Sequence, residues 1–204
     1  SFPKVMVMRD GKPRQTKVLI RGVYNQPSDV VVTSNTPESL SAFPEGAPKN
    51  RLGLAVWLVD EQHPLTARVT VNRIWQQFFG TGLVKTAENF GVQGEKPSHP
   101  ELLDWLAREF IKSDWDVKAM HKRIVLSATY RQTSRVSPAL RERDPENRLL
   151  ARMTRQRLPS WMIRDQALFI SGLLVEKQGG PPVKPYQPAG VWAEATFGKK
   201  KYTR

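Results

Sequence analysis

The spacing of hydrophobic residues changes along the chain, from alternation near the start to a helical period from residue 50 onward. Residues 17–21 and 30–33 alternate as strands do, and a polar turn with Pro27 separates them, which predicts a short hairpin. Residues 34–49 carry three prolines among small polar residues and are predicted to be a connecting loop. We therefore divide the chain into a β-hairpin with a proline-rich connection, residues 1–49, and a helical domain, residues 50–204, with an irregular C-terminal tail.

Apolar residues from residue 50 onward recur every three to four positions, which predicts about five or six helices. The first predicted helix has its apolar positions at Leu52, Leu54, Ala55, Leu58 and Val59. The next begins after Pro64, ends at Gly80 and has a single apolar face, formed by Ala67, Val71, Ile74, Trp75 and Phe78. The apolar spacing also predicts that three tryptophans belong to the core: Trp57, Trp75 and Trp105.

Candidate capping residues predict where the later helices begin. Ser98 and Glu101 have the spacing of a capping box, and Asp116 is predicted to cap a helix that runs to about Tyr130 and turns Val117, Met120, Ile124, Val125 and Ala128 inward. Asp144, followed by a proline, is predicted to begin a helix through Leu149, Leu150 and Met153. Ser160 is predicted to cap a last long helix that buries Ile163, Ala167, Ile170 and Leu174 and ends at residues 179–182.

Together these patterns predict a mainly α fold, a helical domain of about five or six helices with a small N-terminal β-hairpin. The helices are expected to pack around Trp75, Phe78, Leu103, Leu106 and Ile124. No run of apolar residues reaches the roughly 18 that a membrane-spanning helix needs, so no membrane span is predicted.

Composition narrows the chemistry. The chain has no cysteine, which excludes disulfides, zinc-thiolate sites and covalent c-type haem attachment within it. The three histidines lie far apart in sequence, so the expectation is no metal site and no cofactor in this chain. Between Lys118 and Arg164 stand twelve Lys or Arg and only three acids, an excess of nine in a chain whose net charge is +13. A surface this positive attracts anionic partners without choosing among them.

Several long strings of this sequence closely resemble a planctomycete-specific domain of unknown function that accompanies planctomycete cytochrome C-like domains. They include PLTARVTVNRIWQQFFGTGLV from Pro64, FGVQGEKPSHPELLDWLAREF from Phe90, AMHKRIVLSATYRQTS from Ala119 and DPENRLLAR from Asp144. The resemblance implies a large exported protein of the periplasm or cell envelope, in which haem, where present, belongs to a separate domain. It supplies no catalytic residues.

The first group of candidate functional residues is Arg68, Asn72 and Arg73, in the helix that follows Pro64. Arg68 and Asn72 are one turn apart and point the same way, and guanidinium groups bind carboxylate, sulfate or phosphate through paired N–H donors. The alternative is that these side chains attach the helix to loop carbonyls or acidic caps.

The second group is His99, Glu101 and Asp104, where one imidazole and two carboxylates stand close in sequence. If they share a pocket they are candidates for acid/base catalysis or for a weak metal site. The alternative is structural, with Glu101 in the capping box and Asp104 favourably placed near a helix N-terminus.

The third group is Arg148, Arg152 and Arg155, spaced so that a helix would align them along one face as a polyanion-binding stripe. The alternative is that they pair with acids on a neighbouring domain or are solvated.

These observations favour an uncharacterised basic helical module of an exported, cytochrome-associated multidomain protein. We expect it to pack on neighbouring domains of its parent and to present a cationic surface to an acidic protein or anionic polysaccharide. One alternative is part of a cell-envelope enzyme that acts on polysaccharide. A second is nucleic-acid binding, which the charge permits but the predicted helices do not favour. Whether the chain is an enzyme stays open at this point.

Overall fold

The structure is a computed structural model that describes residues 4–9, 11–12, 14–180 and 184–198. The described residues contain a two-stranded antiparallel hairpin and seven α-helices, five of them eight residues or longer, which confirms the mainly α prediction. The chain divides into two compact units, Ser1–Gln156 and Arg157–Arg204. Pro181 and Pro182, part of the predicted end of the last helix, lie outside the described residues.

The first unit holds the hairpin and five helices. Strands β1 (Thr16–Leu19) and β2 (Pro27–Val32) are followed by α1 (Arg51–Leu58), α2 (Thr66–Phe79), α3 (Pro100–Lys112), α4 (Val117–Leu126) and α5 (Pro138–Arg143). The second unit contains α6 (Ser160–Ile170) and α7 (Val191–Thr196). Helix α5 was not predicted, because its six residues are too few to show a period, and α7 lies in the segment predicted to be irregular.

The core of the first unit forms where α2 packs against α3 and α4. Four of the five predicted core positions, Trp75, Leu103, Leu106 and Ile124, are buried, and Phe78 is half-buried against them. Trp75 stacks on Phe79, whose ring centroid is 4.1 Å away. The core also includes Leu83 and Val84, which follow α2 in a segment without regular secondary structure and were not predicted.

Helix α1 buries a different face from the predicted one. Asn50 caps it by accepting the N–H groups of Leu52 and Gly53, and only Gly53 and Trp57 are buried. The backbone of the preceding loop lies so close that a Cβ added at Gly53 would stand 2.0 Å from the Pro48 carbonyl oxygen. The loop therefore covers the Gly53 and Trp57 side, and the predicted apolar positions Leu52, Leu54, Leu58 and Val59 are exposed.

The predicted capping box before α3 does not form. Pro100 occupies the first turn, so the helix begins after His99, and no side chain caps it. Ser98 stands one residue too early: its N–H donates to the Leu83 carbonyl and its hydroxyl contacts His99 Nδ1 at 3.0 Å. Trp105, predicted to be in the core, is 49% exposed, because it lies on the opposite side of α3 from the buried face formed by Leu103, Leu106, Ala107 and Phe110.

Helix α4 begins as predicted but ends earlier. The Asp116 carboxylate accepts the Ala119 N–H at 2.9 Å, and Met120 and Ile124 are buried, whereas Val117 and Ala128 are exposed. The helix stops at Leu126 and not near Tyr130. Ser127 is extended, its hydroxyl donates to the Ile124 carbonyl and accepts the Tyr130 N–H, and this local bonding replaces the next helical turn.

Two further predictions about helices were wrong. Asp144 ends α5 and no helix follows, because Asn147 and Leu150 both adopt left-handed backbone conformations with φ of 55°. Helix α6 exists, but Pro159 and not Ser160 precedes it without a side-chain cap. Its predicted inward face is exposed, since the described residues of the second unit leave this face uncovered: Ile163, Ala167, Ile170 and Leu174.

Candidate functional site

Arg68 and Asp104, taken from two different predicted groups, meet between α2 and α3. Arg68 Nε donates to Asp104 Oδ1 at 2.6 Å, and Arg68 Nη1 donates to the Pro64 carbonyl at 2.5 Å. The hydrogen bond from Arg68 lowers the pKa of Asp104, and the same bond raises the pKa of Arg68. Two bonds thus fix the guanidinium in place, and Asp104 Oδ2 has no hydrogen-bond donor among the described residues.

This ion pair lies in the wall of a cleft of about 240 Å³. The other polar groups in the wall are Glu61, Gln62, His63 and Arg108. His63 is 7% exposed, and its Nδ1 accepts the N–H groups of Leu65 and Thr66 at the start of α2. The imidazole therefore caps α2 and holds this wall of the cleft in place.

The other members of these two groups lie elsewhere. Asn72 is fully buried, and its amide bonds both backbone groups of Val84: Oδ1 accepts the N–H at 2.9 Å and Nδ2 donates to the carbonyl at 3.0 Å. Arg73 is exposed and pairs with Glu88 at 3.2 Å. His99 and Glu101 do not line the cleft. The structure therefore does not bring the proposed acid/base group into one pocket.

Arg148 and Arg152 hold backbone carbonyls. Arg148 donates to the carbonyls of Gly82 and Leu83 at 2.9 and 3.0 Å, and Arg152 Nη2 donates to those of Asp144 and Pro145. No helix aligns them with Arg155, so the predicted stripe along one helix face was wrong. Arg148 and Arg152 therefore have a structural role that neither reading of the sequence predicted, since their partners are backbone carbonyls of this chain.

The segment that carries them, residues 144–156, runs along the end of α2. Thr154 donates its hydroxyl proton to the Phe79 carbonyl, and Gln156 Nε2 donates to the carbonyls of Gln77 and Phe78. These carbonyls belong to the last turn of α2, where no intrahelical N–H is available. Residues 144–156 therefore cap α2 with side chains, a role that sequence spacing does not reveal.

The acids of the basic segment are mostly engaged. Asp144 is 5% exposed, and its two oxygens accept the N–H groups of Arg148 and Leu149, each at 2.8 Å. Glu146 pairs with Lys85 at 2.8 Å, and the hydrogen bond from Lys85 lowers the pKa of Glu146. Only Glu142 is left with no partner among the described residues to offset nearby cations.

Between Lys118 and Gln156, within the first unit, seven exposed cations have no acidic partner among the described residues. We call them the cationic set: Lys118, Lys122, Arg131, Arg135, Arg141, Arg143 and Arg155. Lys118 and Lys122 are one turn apart on α4, on the side opposite the buried Met120. Of the set, only Arg155 belonged to the predicted arginine stripe. The charge count contained the signal for the others, but it does not separate paired from unpaired cations.

The described residues contain no group of three or more His, Asp or Glu side chains that could hold a metal ion. The chain has no cysteine for thioether attachment, the Nδ1 of His63 is engaged with backbone N–H groups, and the His121 ring packs edge-on against Phe78. None of the described helices has the length and apolar character needed to cross a bilayer.

Comparison with known protein families gives one finding. Residues 50–204 match the family described as PSD1, protein of unknown function (DUF1553). The match begins at the residue where the sequence predicts the helical domain to begin. No curated protein and no solved structure matches the chain significantly.

Proposed function

The chain belongs to the PSD1 family of proteins of unknown function, and from this premise we propose that it is a binding module that presents a cationic surface to an acidic partner. The partner is an acidic protein or an anionic polysaccharide, and the module packs on neighbouring domains of a larger exported protein. Following the sequence resemblance, we place that parent protein among planctomycete cytochrome-associated proteins, with any haem in a separate domain.

The cationic set is the observation that carries this proposal. Its seven side chains are exposed and lack acidic partners among the described residues, while Asp144 and Glu146 are engaged elsewhere. Exposed cations that are not neutralised locally attract polyanions over roughly 10 Å at moderate salt. The scattering of His99, Glu101 and Arg73 away from the cleft supports binding in preference to catalysis.

Exposed apolar residues support packing on neighbouring domains. Helix α1 leaves Leu52, Leu54, Val56 and Leu58 exposed, and β2 does the same with Val30, Val31 and Val32. A two-stranded hairpin is marginally stable alone in water, and large exposed apolar patches commonly mark interaction sites. A monodisperse chain that binds no hydrophobic dye would count against this packing role.

Heparin binding measured over a range of salt concentrations tests the cationic surface. The wild-type affinity should fall steeply as salt rises, since binding releases condensed counterions. Replacing Lys118, Lys122, Arg131 and Arg135 together by Gln should weaken binding about tenfold or more. The matched control replaces four exposed lysines outside the set and should change affinity less than about twofold: Lys4, Lys12, Lys49 and Lys96.

Equal losses in the two variants would overturn the proposal, because net charge alone would then explain the binding. Duplex DNA serves as the second probe at the same salt concentrations. DNA binding that is stronger than heparin binding would favour the nucleic-acid alternative. Heparin binding that depends on the cationic set, with no preference for DNA, would support the proposed module.

A further inference from the structure

The cleft between α2 and α3 contains hydrogen-bond donors and acceptors that are held in fixed positions. The proposed binding of an acidic partner by the cationic set does not use them. Arg68 is held by Asp104 and by the Pro64 carbonyl, which leaves Nη2 without a hydrogen-bond partner among the described residues. Asp104 Oδ2 is similarly without one. The cleft therefore presents a donor and an acceptor on side chains that are already positioned before any ligand arrives.

The charges around the cleft cancel. Arg68 and Arg108 are balanced by Asp104 and Glu61, and the charge of Arg108 acts on Asp104. Because these four charges sum to zero, binding a monoanion or a monocation would leave the cleft with a net charge. A neutral ligand with hydroxyl groups fits better, because each hydroxyl both donates and accepts a hydrogen bond.

The volume of the cleft and its apolar lining fit a single sugar ring. The volume of about 240 Å³ is below the range of roughly 300–1,000 Å³ that drug-sized ligands occupy. Ala67, Ala107 and Ile111 line the cleft with apolar surface, which can contact the C–H groups of a sugar ring. His63 caps the start of α2 and fixes the wall that carries Arg68.

We propose that this cleft is a binding site for a neutral polyhydroxylated ligand, namely one sugar ring of a free or polymeric carbohydrate. The Arg68 and Asp104 pair binds adjacent hydroxyls, and Glu61 and Arg108 contact the ring from the rim. The site is separate from the cationic set, so it can fail or hold independently of the proposed function.

Titration of the whole chain with single sugars, followed by backbone amide NMR shifts, tests the proposal. The probes are glucose, mannose, galactose and N-acetylglucosamine, with glycine as a zwitterionic probe and sulfate as an anionic one. At least one sugar should bind with a roughly millimolar dissociation constant. The shifts should cluster in residues 61–68 and 104–111.

Three variants locate the binding. Asp104→Asn keeps the side-chain shape, and Arg108→Gln and Glu61→Gln change only exposed rim residues. Asp104→Asn should weaken sugar binding about tenfold. Each of the two rim variants should cause a smaller but measurable loss. Lys118→Gln is the matched control, which should leave sugar binding unchanged while weakening heparin binding. The rim variants keep the test valid if Asp104→Asn proves less stable.

Four results would overturn the assignment. They are no saturable sugar binding up to about 100 mM, sugar binding whose shifts lie outside the cleft, sugar binding that none of the three cleft variants weakens, and binding of glycine or sulfate in the cleft with no binding of sugars. A polymer-bound source is distinguished by a short oligosaccharide of the sugar that binds best. Tighter binding of the oligomer would assign the site to a polymer, and equal binding to the free sugar.

Discussion

The side chain of Asn72 satisfies both backbone groups of Val84, twelve residues further along the chain. Oδ1 accepts the Val84 N–H at 2.9 Å and Nδ2 donates to the Val84 carbonyl at 3.0 Å, and Asn72 is fully buried. A buried residue outside any helix or strand thus obtains both of its backbone hydrogen bonds from one side-chain amide. The residue that spacing suggested as an anion ligand holds the core together.

Asn72→Ala should lower the free energy of unfolding by about 2–4 kcal/mol, because it leaves a buried N–H and a buried carbonyl of Val84 without partners. Urea denaturation followed by circular dichroism measures the change. The control is Arg73→Ala on the same helix, whose exposed ion pair should contribute less than about 1 kcal/mol. Equal small effects from both variants would contradict the structural role of Asn72.

Gly82→Ala should also destabilise the first unit. A Cβ at this position would lie 2.6 Å from both Asn72 Nδ2 and the Val84 carbonyl oxygen, so the amide and the backbone would have to separate. Overpacking of this kind costs about 1–3 kcal/mol. Gly11→Ala is the control, because no atom of the described residues, apart from its chain neighbours, lies within 4 Å of the added carbon. A stability equal to wild type for Gly82→Ala would show that the close approach does not exist.

Substitutions of Arg148 and Arg155 should differ in their effect on the free energy of unfolding. Arg148→Gln removes the donors to the carbonyls of Gly82 and Leu83 and should lower the unfolding free energy by about 1–2 kcal/mol. Arg155→Gln, at an exposed residue, should leave stability within about 0.5 kcal/mol of wild type. Thermal and urea unfolding of the two variants side by side provide the measurement. A larger loss of stability for Arg155→Gln than for Arg148→Gln would refute this assignment.

Acid should weaken the contribution of the Arg68 and Asp104 pair. The pKa of Asp104 is lower in the folded chain than in the unfolded chain, so the pair stabilises the fold above the ordinary carboxyl value of about 3.9. That stabilisation is lost as the pH falls through the lowered folded value. Asp104→Asn should therefore be less stable than wild type at pH 7, and the difference should shrink steadily on acidification.

Carbon-detected NMR titration of the Asp104 carboxyl group checks the sign directly, with a midpoint expected below that of an ordinary aspartate. Glu142→Gln is the control variant, because this exposed carboxylate has no hydrogen-bond partner among the described residues. A stability difference between wild type and Asp104→Asn that grows toward low pH would mean that the pKa of Asp104 is raised and not lowered.

Sequence periodicity predicted the helices whose burial follows local spacing. The apolar face of α2 repeats every three to four residues, and Ala67, Val71, Ile74 and Trp75 are all buried. The same reasoning failed for α1, because the covering loop selected the face with Gly53 and not the face richest in leucine. It failed for Trp105 because this tryptophan lies next in sequence to the buried residues of α3 but on the opposite side of the helix. A short stretch of sequence with many apolar residues does not reveal that difference.

The roles of the polar residues were less accessible to sequence reasoning. Arg68 and Asp104 are 36 positions apart, and Arg148 is 65 positions from Leu83, so no local spacing relates the partners. The predicted helix after Asp144 had a plausible cap and apolar period, but left-handed residues at 147 and 150 interrupt it. Whether an arginine side chain has a hydrogen-bond partner depends on groups that are distant in sequence. The arginine stripe was therefore predicted wrongly, and the cationic set was not predicted.

The capping of α2 by residues 144–156 has a consequence for synthesis of the chain. The last carbonyls of α2 are made early, at positions 77–79, but their partners Thr154 and Gln156 are translated 75 to 79 residues later. While those residues are still inside the ribosome, the end of α2 must rely on water for its hydrogen bonds. The first unit therefore cannot complete its native hydrogen bonding during synthesis until Gln156 has left the ribosome.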